Sequence, residues 1–200
     1  MNNETTEQKL IKYNEFFSIE HEFSINILPV QAHKVTSYEQ FITDMPTPFK
    51  MASDMSNIDQ AALRPLQALS GVANQLVDFL NHQSKKIDLL IGYILSQQDD
   101  EKHRYQGLKF GGGGLLFTAN KAFESAQLLE MKIFLHNENH AVYCYGEVID
   151  IEQVQNDYLH KVTFHFIREE DREVLVRTSL HEQSKQLQAL AQQRNKEGKF

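Results

Sequence analysis

The chain has 200 residues, of which 41% are hydrophobic and 24% are charged, and its formal net charge is −7 at pH 7. This length and composition predict a globular protein with one domain, or one domain with an appendage. The negative charge argues against DNA as a partner, because binding to phosphates needs a positive field. No run of about 18 consecutive apolar residues occurs, so membrane insertion through a helix is excluded.

Two further features favour the cytoplasm. The first seven residues are polar and acidic rather than basic and then apolar, so we expect no signal peptide. The single cysteine, Cys144, lies in an apolar run, which predicts a buried and reduced thiol.

Residues 1–35 are predicted to hold a short helix and then a first strand. Residues 19–27 alternate between apolar and polar side chains, with His21 as the exception among the apolar positions. This period of two predicts a strand with one buried face. Pro29 should end that strand or place it at a sheet edge.

Residues 36–100 are predicted to form a connector and a long helix with a heptad repeat. Its apolar spacing alternates between three and four without a slip. The seam positions are Leu66, Leu69, Ala73, Leu76, Leu80, Gln83, Ile87, Leu90 and Ile94. Such a repeat predicts a self-associating coiled coil. The alternative is one amphipathic helix on its own core, but at about 1.5 Å per residue this repeat overreaches a small domain.

The flanks of the seam predict the number of chains in the coil. Flanking e and g positions are usually charged in dimers, but here they include Val77, Phe79, Ile91 and Tyr93. A coil of three or four helices would cover so wide an apolar stripe, and we prefer a homotetramer. Gln83 would supply a polar layer that sets the register.

The remainder is predicted to comprise a β domain over residues 101–180, then a C-terminal helix and polar tail over residues 181–200. Short runs rich in Phe, Val, Ile and Tyr, separated by turns, predict a small antiparallel barrel or sandwich. From Arg168 the chain turns helical. Val176, Leu180, Leu187 and Leu190 form one stripe that is predicted to pack on the barrel or on the long helices.

Three segments carry a resemblance to a known family. They are Gly-Gly-Leu-Leu-Phe at residues 113–117, Gly-Glu-Val-Ile at 146–149, and the strand and helix start at 164–175. These segments resemble PilZ domains, the bacterial cyclic di-GMP receptors, and an inserted heptad helix resembles their atypical, tetrameric branch. The resemblance implies an α+β fold, with a small antiparallel PilZ-like β-barrel, a long inserted helix and a C-terminal helix. It also implies a non-catalytic regulatory role.

The ligand motifs of that family are degenerate in this chain. Members that bind cyclic di-GMP carry Arg-x-x-x-Arg before the first strand and Asp-x-Ser-x-x-Gly further on. Residues 1–63 contain no arginine, while Lys109 stands in place of the Asp, Gly111 in place of the Ser, and only Gly114 matches. A literal Arg-x-x-x-Arg at Arg168 lies in the wrong topological place. We therefore expect no tight binding of cyclic di-GMP.

Other groups of residues give only weak evidence for an anion, metal or catalytic site. Residues 111–114 could form a backbone nest for an anion, or a strand bend. His136 and His140 have a metal-like spacing, but they flank a polar turn and no third ligand is evident. No arrangement of nucleophile, acid or base points to an enzyme, and we expect no cofactor and no metal.

Three functions are compatible with these features. The first is a non-catalytic signalling adaptor that assembles through the coiled coil and binds another signalling protein. The second is a nucleotide receptor that uses a nonstandard site around Arg104, Lys109, Gly111 and Gly114. The third is a purely structural assembly module.

Overall fold

A computed structural model describes residues 5–31, 37–52, 72–135 and 140–197. The labelled helices are α1 (Thr6–Asn14), α2 (Tyr38–Asp44), α3 (Val72–Ser96) and α4 (Glu169–Glu197). The strands are β1 (Ser18–Val30), β2 (Arg104–Gly111), β3 (Gly114–Ala119), β4 (Leu128–Leu135), β5 (His140–Val154) and β6 (Asp157–Phe166). Residues 47–52 are also helical, and Glu101–His103 form a single 3₁₀ turn before β2.

The six strands form a closed antiparallel barrel in the order β1-β2-β3-β6-β5-β4. β1 precedes the long helix in the chain, yet it pairs with β2 on one side and β4 on the other. The predicted α+β fold, with its first barrel strand drawn from before the helix, is therefore confirmed. Because β1 closes the barrel, neither β2 nor β4 is left as an open edge.

The alternation in β1 follows from this closure. Ile19, Phe23, Ile25 and Ile27 point into the barrel and are buried. Pro29 does not end the strand, since β1 continues to Val30. Its pairing with β2 stops near Asn26, so Pro29 has β4 as its neighbour on one side only. The missing N–H therefore costs no bond on the open side.

β2 was not predicted as a strand from its residue pattern. Its pairing with β1 and with β3 contains register shifts, and these break the simple alternation of apolar and polar residues. Gly107 in this strand lies under the ring of Phe23, which occupies the space that a Cβ atom would need. A bulged strand with a glycine at its centre leaves little periodic signal.

The hydrophobic core has two parts. The first fills the barrel and includes Cys144, whose thiol is free and fully buried, so that burial raises its pKa well above the usual value. The second, which we call the outer cluster, lies on the outside of β4 and β5. Its buried members are Phe41, Met45, Phe49, Leu95, Phe134, Ala141, Tyr143 and Tyr145. The outer cluster therefore holds α2, the segment that follows it and the end of α3 against the barrel.

Arg168 joins the outer cluster to the start of α4. Its guanidinium donates to the Asp171 carboxylate at 2.7 and 3.1 Å, and to the carbonyl oxygen of Phe49 at 3.0 Å. Both charged side chains of this pair are buried. From here α4 runs without interruption through the predicted boundary at residue 180.

Replacing Arg168 by alanine is expected to lower the free energy of unfolding by about 3–5 kcal/mol, because Asp171 would be left as an unpaired buried charge. Replacing both members together, as Arg168→Met with Asp171→Leu, should cost much less, since no buried charge then remains. Urea unfolding followed by circular dichroism measures both effects. Equal losses in the single and double variants would contradict a coupled pair.

Candidate functional site

Within the described part of the chain, the seam of α3 is largely left uncovered by other elements of the protomer. Leu76, Ile87, Leu90 and Ile94 are exposed by 53%, 37%, 64% and 47%. Leu80 and Gln83 are half-buried. Leu66, Leu69 and the side chain of Ala73 lie outside the described residues. An apolar helix face left in water is a typical binding surface.

The two flanks of the seam have different environments. Ile91 and Leu95 turn toward the barrel and pack in the outer cluster. Phe79 and Tyr93 on the other flank are exposed by 58% and 66%. We call the open surface the seam face. It comprises Leu76, Phe79, Leu80, Gln83, Ile87, Leu90, Tyr93 and Ile94.

A polar anchor fixes the C-terminal end of α3 to the barrel. Buried Asn26 in β1 donates from Nδ2 to Asp99 Oδ1 at 2.8 Å and to the Asp100 carbonyl oxygen at 3.1 Å. Its Oδ1 accepts from the Asp100 N–H at 2.7 Å. Arg104 donates from Nε to both oxygens of Asp99, at 3.1 and 3.0 Å. The anchor orients α3 relative to the barrel.

Arg104, predicted as a candidate ligand residue, is thus part of this anchor. Hydrogen bonding to the Asp99 carboxylate raises the pKa of its guanidinium. Arg104 opens β2, whereas Gly111 closes the same strand. At about 3.3 Å per residue these two residues are more than 20 Å apart. The structure does not bring Arg104 and the glycines into one site.

Lys109, the third predicted ligand residue, lies at a different location again. It lines an open groove of about 540 Å³ between the bulged part of β1 and α4. The groove has an apolar floor of Leu108 and Leu116, and its wall includes Glu20 and His21. Glutamate side chains beside the lysine make this groove a poor match for a phosphate anion.

Residues 111–114 are buried because the end of α1 and the backbone that follows it cross them. A Cβ atom on Gly111 would lie 2.2 Å from the carbonyl oxygen of Phe17, and one on Gly113 would lie 2.5 Å from that of Tyr13. The Gly113 carbonyl oxygen accepts from Thr163 Oγ1 at 3.1 Å and from the Phe164 N–H. These glycines therefore permit a close approach of two chain segments, as the strand-bend alternative expects, rather than an open anion nest.

The docking of α1 on the barrel was missed in the sequence. Lys9 Nζ lies 2.6 Å from Glu147 Oε1, and Tyr13 is buried beside the glycines. Burial raises the pKa of the Tyr13 hydroxyl to about 12. The N-terminal capping box at Thr5 and Gln8 marks where this helix begins. The short helix itself was predicted, but no residue pattern indicated the barrel surface on which it docks.

The literal Arg-x-x-x-Arg has structural partners. Arg168 makes the buried bonds already described. Arg172 donates to the Gly112 carbonyl oxygen, lies 3.4 Å from the Glu169 carboxylate and stacks on the Phe16 ring at 5.3 Å. The guanidinium groups of Arg168 and Arg172 therefore both have polar partners within the protomer.

The residues that the structure describes carry neither a metal-binding cluster nor a membrane-spanning helix. Within them, no group of three or more His, Cys, Asp or Glu side chains could hold a metal ion. His136 lies outside the described residues. Among the described helices, none has the length and apolarity to cross a bilayer.

A model of the PilZ domain matches residues 82–180. Together with the closed barrel, this match places the chain in the PilZ family, whose domains are typically non-catalytic and regulatory. No curated protein sequence is significantly similar to the chain.

Two solved structures are similar to this chain. A Xanthomonas campestris protein, described as a tetrameric PilZ domain self-assembled via an unusual helical bundle, has a TM-score of 0.54 and 14% identity, covering 89% of this chain and 96% of its own. Over the matched residues, this chain thus shares the fold of that protein. The Bacillus subtilis inhibitor of motility MotI/DgrA has a TM-score of 0.39 and 18% identity, covering 41% of this chain and 42% of its own.

Proposed function

We propose that this chain is a non-catalytic PilZ regulator that assembles as a homotetramer through α3 and acts as an adaptor for another signalling protein. The observation that carries the assembly is the seam face. Six of its large apolar side chains are exposed between Leu76 and Ile94. Their exposed area is on the order of 700 Å² per copy, close to the roughly 800 Å² that each partner buries in a standard interface.

The shape of the seam face favours four chains over two. A two-stranded coil buries mainly the a and d positions. Phe79 and Tyr93 are exposed in the protomer, and a two-stranded coil would leave them exposed. In an assembly of four chains, helices beyond the first partner can cover one flank as well as the seam. The tetrameric helical bundle of the similar Xanthomonas protein supports the same arrangement.

The mass of the full chain in solution tests the assembly. Light scattering should give the mass of three or four 23.2 kDa chains, with four preferred. A monomer at micromolar concentration would overturn the proposal.

The proposal also holds that cyclic di-GMP is not a tight ligand. The stretch before β1 has no arginine, and it is packed over residues 111–114 instead of lying open. A bidentate arginine–guanine contact is worth about 1–3 kcal/mol, so the loss of two arginines removes several orders of magnitude in affinity. Arg104 and Lys109 lie in separate places and do not replace them.

Calorimetric titration with cyclic di-GMP should therefore detect no binding tighter than about 10 μM, or roughly −7 kcal/mol. Lys85→Ala, a change on the exposed outside of α3, serves as the control for nonspecific charge effects. Submicromolar binding that is lost in Arg104→Ala or Lys109→Ala, but kept in the control, would instead establish the nucleotide-receptor alternative.

A further inference from the structure

The last turns of α4 extend past the barrel, and their described side chains are exposed. The Gln186 side chain donates to the Glu20 carbonyl oxygen at 2.9 Å. Beyond it, every described side chain from residue 187 to residue 194 is exposed. This part of the helix extends about 16 Å past the last barrel contact.

This extension carries an apolar stripe. Leu180, Leu187 and Leu190 are exposed by 51%, 60% and 51%. The side of α4 that faces the barrel is formed by Leu175, Ser179 and neighbouring buried residues. At about 100° per residue, the stripe lies roughly a quarter turn away from that side. The barrel therefore leaves it open to another helix.

The stripe has the same heptad pattern as the seam of α3. In α4 the order is Leu180, Gln183, Leu187, Leu190, and in α3 it is Leu80, Gln83, Ile87, Leu90. Each helix thus has one glutamine at a d position, between leucine or isoleucine layers. A polar side chain in a seam sets register, because a buried amide opposite an apolar side chain loses its hydrogen bonds.

We propose that the stripe of α4 packs in parallel on α3 of a second copy, with Gln183 in the same layer as Gln83. This inference rests on the proposed self-assembly and names a second helix that takes part in it. In a parallel pair d positions share a layer, so the two amides can bond to each other.

The charges of the two surfaces are compatible with this pairing. Ser184, Gln186, Ala191 and Gln193 flank the stripe, so its flanks bring no charge against Phe79. The charge in the stripe itself is Arg194, which lies at its C-terminal end. Uncharged flanks are what the apolar side of α3 requires.

The end of the stripe also favours the parallel direction. Arg194 follows Leu190 at the next a position, level with Ile94 near the C-terminal end of α3. That end carries the negative pole of the helix dipole and is followed by Asp100 and Glu101. In an antiparallel pair Arg194 would instead meet the positive pole.

The widths of the two surfaces agree as well. The seam face of α3 extends from its a and d positions to Phe79 and Tyr93 at g, with Lys86 as the one charged g position between them. A surface this wide is more than one partner helix covers. The stripe of α4 is narrow and needs only one partner. In the bundle, α4 would cover the flank that contains Phe79 and Tyr93.

Disulfide trapping in the full chain tests the pairing. Gln83→Cys and Gln183→Cys are prepared separately, one with ¹⁵N, mixed under conditions of subunit exchange, oxidised and examined by mass spectrometry. We expect a product that joins one labelled and one unlabelled chain between positions 83 and 183. Cys144 is fully buried and should not react.

Gln192→Cys is the matched control, since position 192 is exposed on the outer face of the same extension. It should form no link to position 83. The absence of a link between 83 and 183, or a dominant link between two copies of position 183, would overturn the pairing. Light scattering before oxidation separates the two proposals. A multi-chain mass without the 83–183 link rejects only this inference, whereas a monomer rejects the self-assembly itself.

Discussion

Replacing Leu80 and Ile87 by aspartate should convert the assembly into monomers. Both are a positions of the seam, and each variant side chain would place an unpaired carboxylate between packed helices. Burying such a charge costs far more free energy than burying the original leucine or isoleucine gains by association. Light scattering at micromolar concentration should then give the mass of one 23.2 kDa chain.

The barrel should stay folded in this variant, because neither side chain belongs to its core. Gln75→Asp with His82→Asp is the matched control, since it adds two aspartates at exposed positions outside the seam of the same helix. The control should keep its assembled mass. Assembly that persists in the Leu80/Ile87 variant would mean that α3 is not the interface.

A fragment that begins at Asp100 should aggregate or unfold. It lacks β1, so β2 and β4 would each present a row of unpaired backbone groups. It would also lose Ile25 and Ile27 from the centre of the barrel core. Size-exclusion chromatography and circular dichroism measure the result. A well-folded monomeric fragment would contradict the role of β1 in closing the barrel.

The converse variant keeps β1 and removes most of the long helix. Replacing all of residues 36–99 would also remove Phe41, Phe49 and Leu95 and expose Tyr143 to water. A Gly/Ser linker is therefore placed at residues 53–89 alone, where loop closure costs little. This variant should be a soluble monomer that loses helical signal and retains its strand signal. Aggregation despite an intact outer cluster would argue against the independence of the barrel from α3.

Local patterns were sufficient for the elements with a simple period. The unbroken heptad predicted the long helix, and the alternation at residues 19–27 predicted β1, because each reports one continuous buried or exposed face. The family resemblance supplied the barrel and the role of β1 as its first strand, although β1 is separated from its partners in the chain by the long helix. β2 was not predicted, because its bulges and Gly107 interrupt the alternation of apolar and polar residues.

The candidate sites depended on contacts between distant segments. From the chain alone, Arg104 and residues 111–114 could be assigned to one anion site. The fold places Arg104 against Asp99 and the glycines under the backbone of residues 12–17. The same holds for the seam: its period predicted an apolar stripe, but only the packing of Ile91 and Leu95 on the barrel decided which flank remains open. A heptad records which side chains share a helix face, whereas what covers that face depends on where the rest of the chain folds.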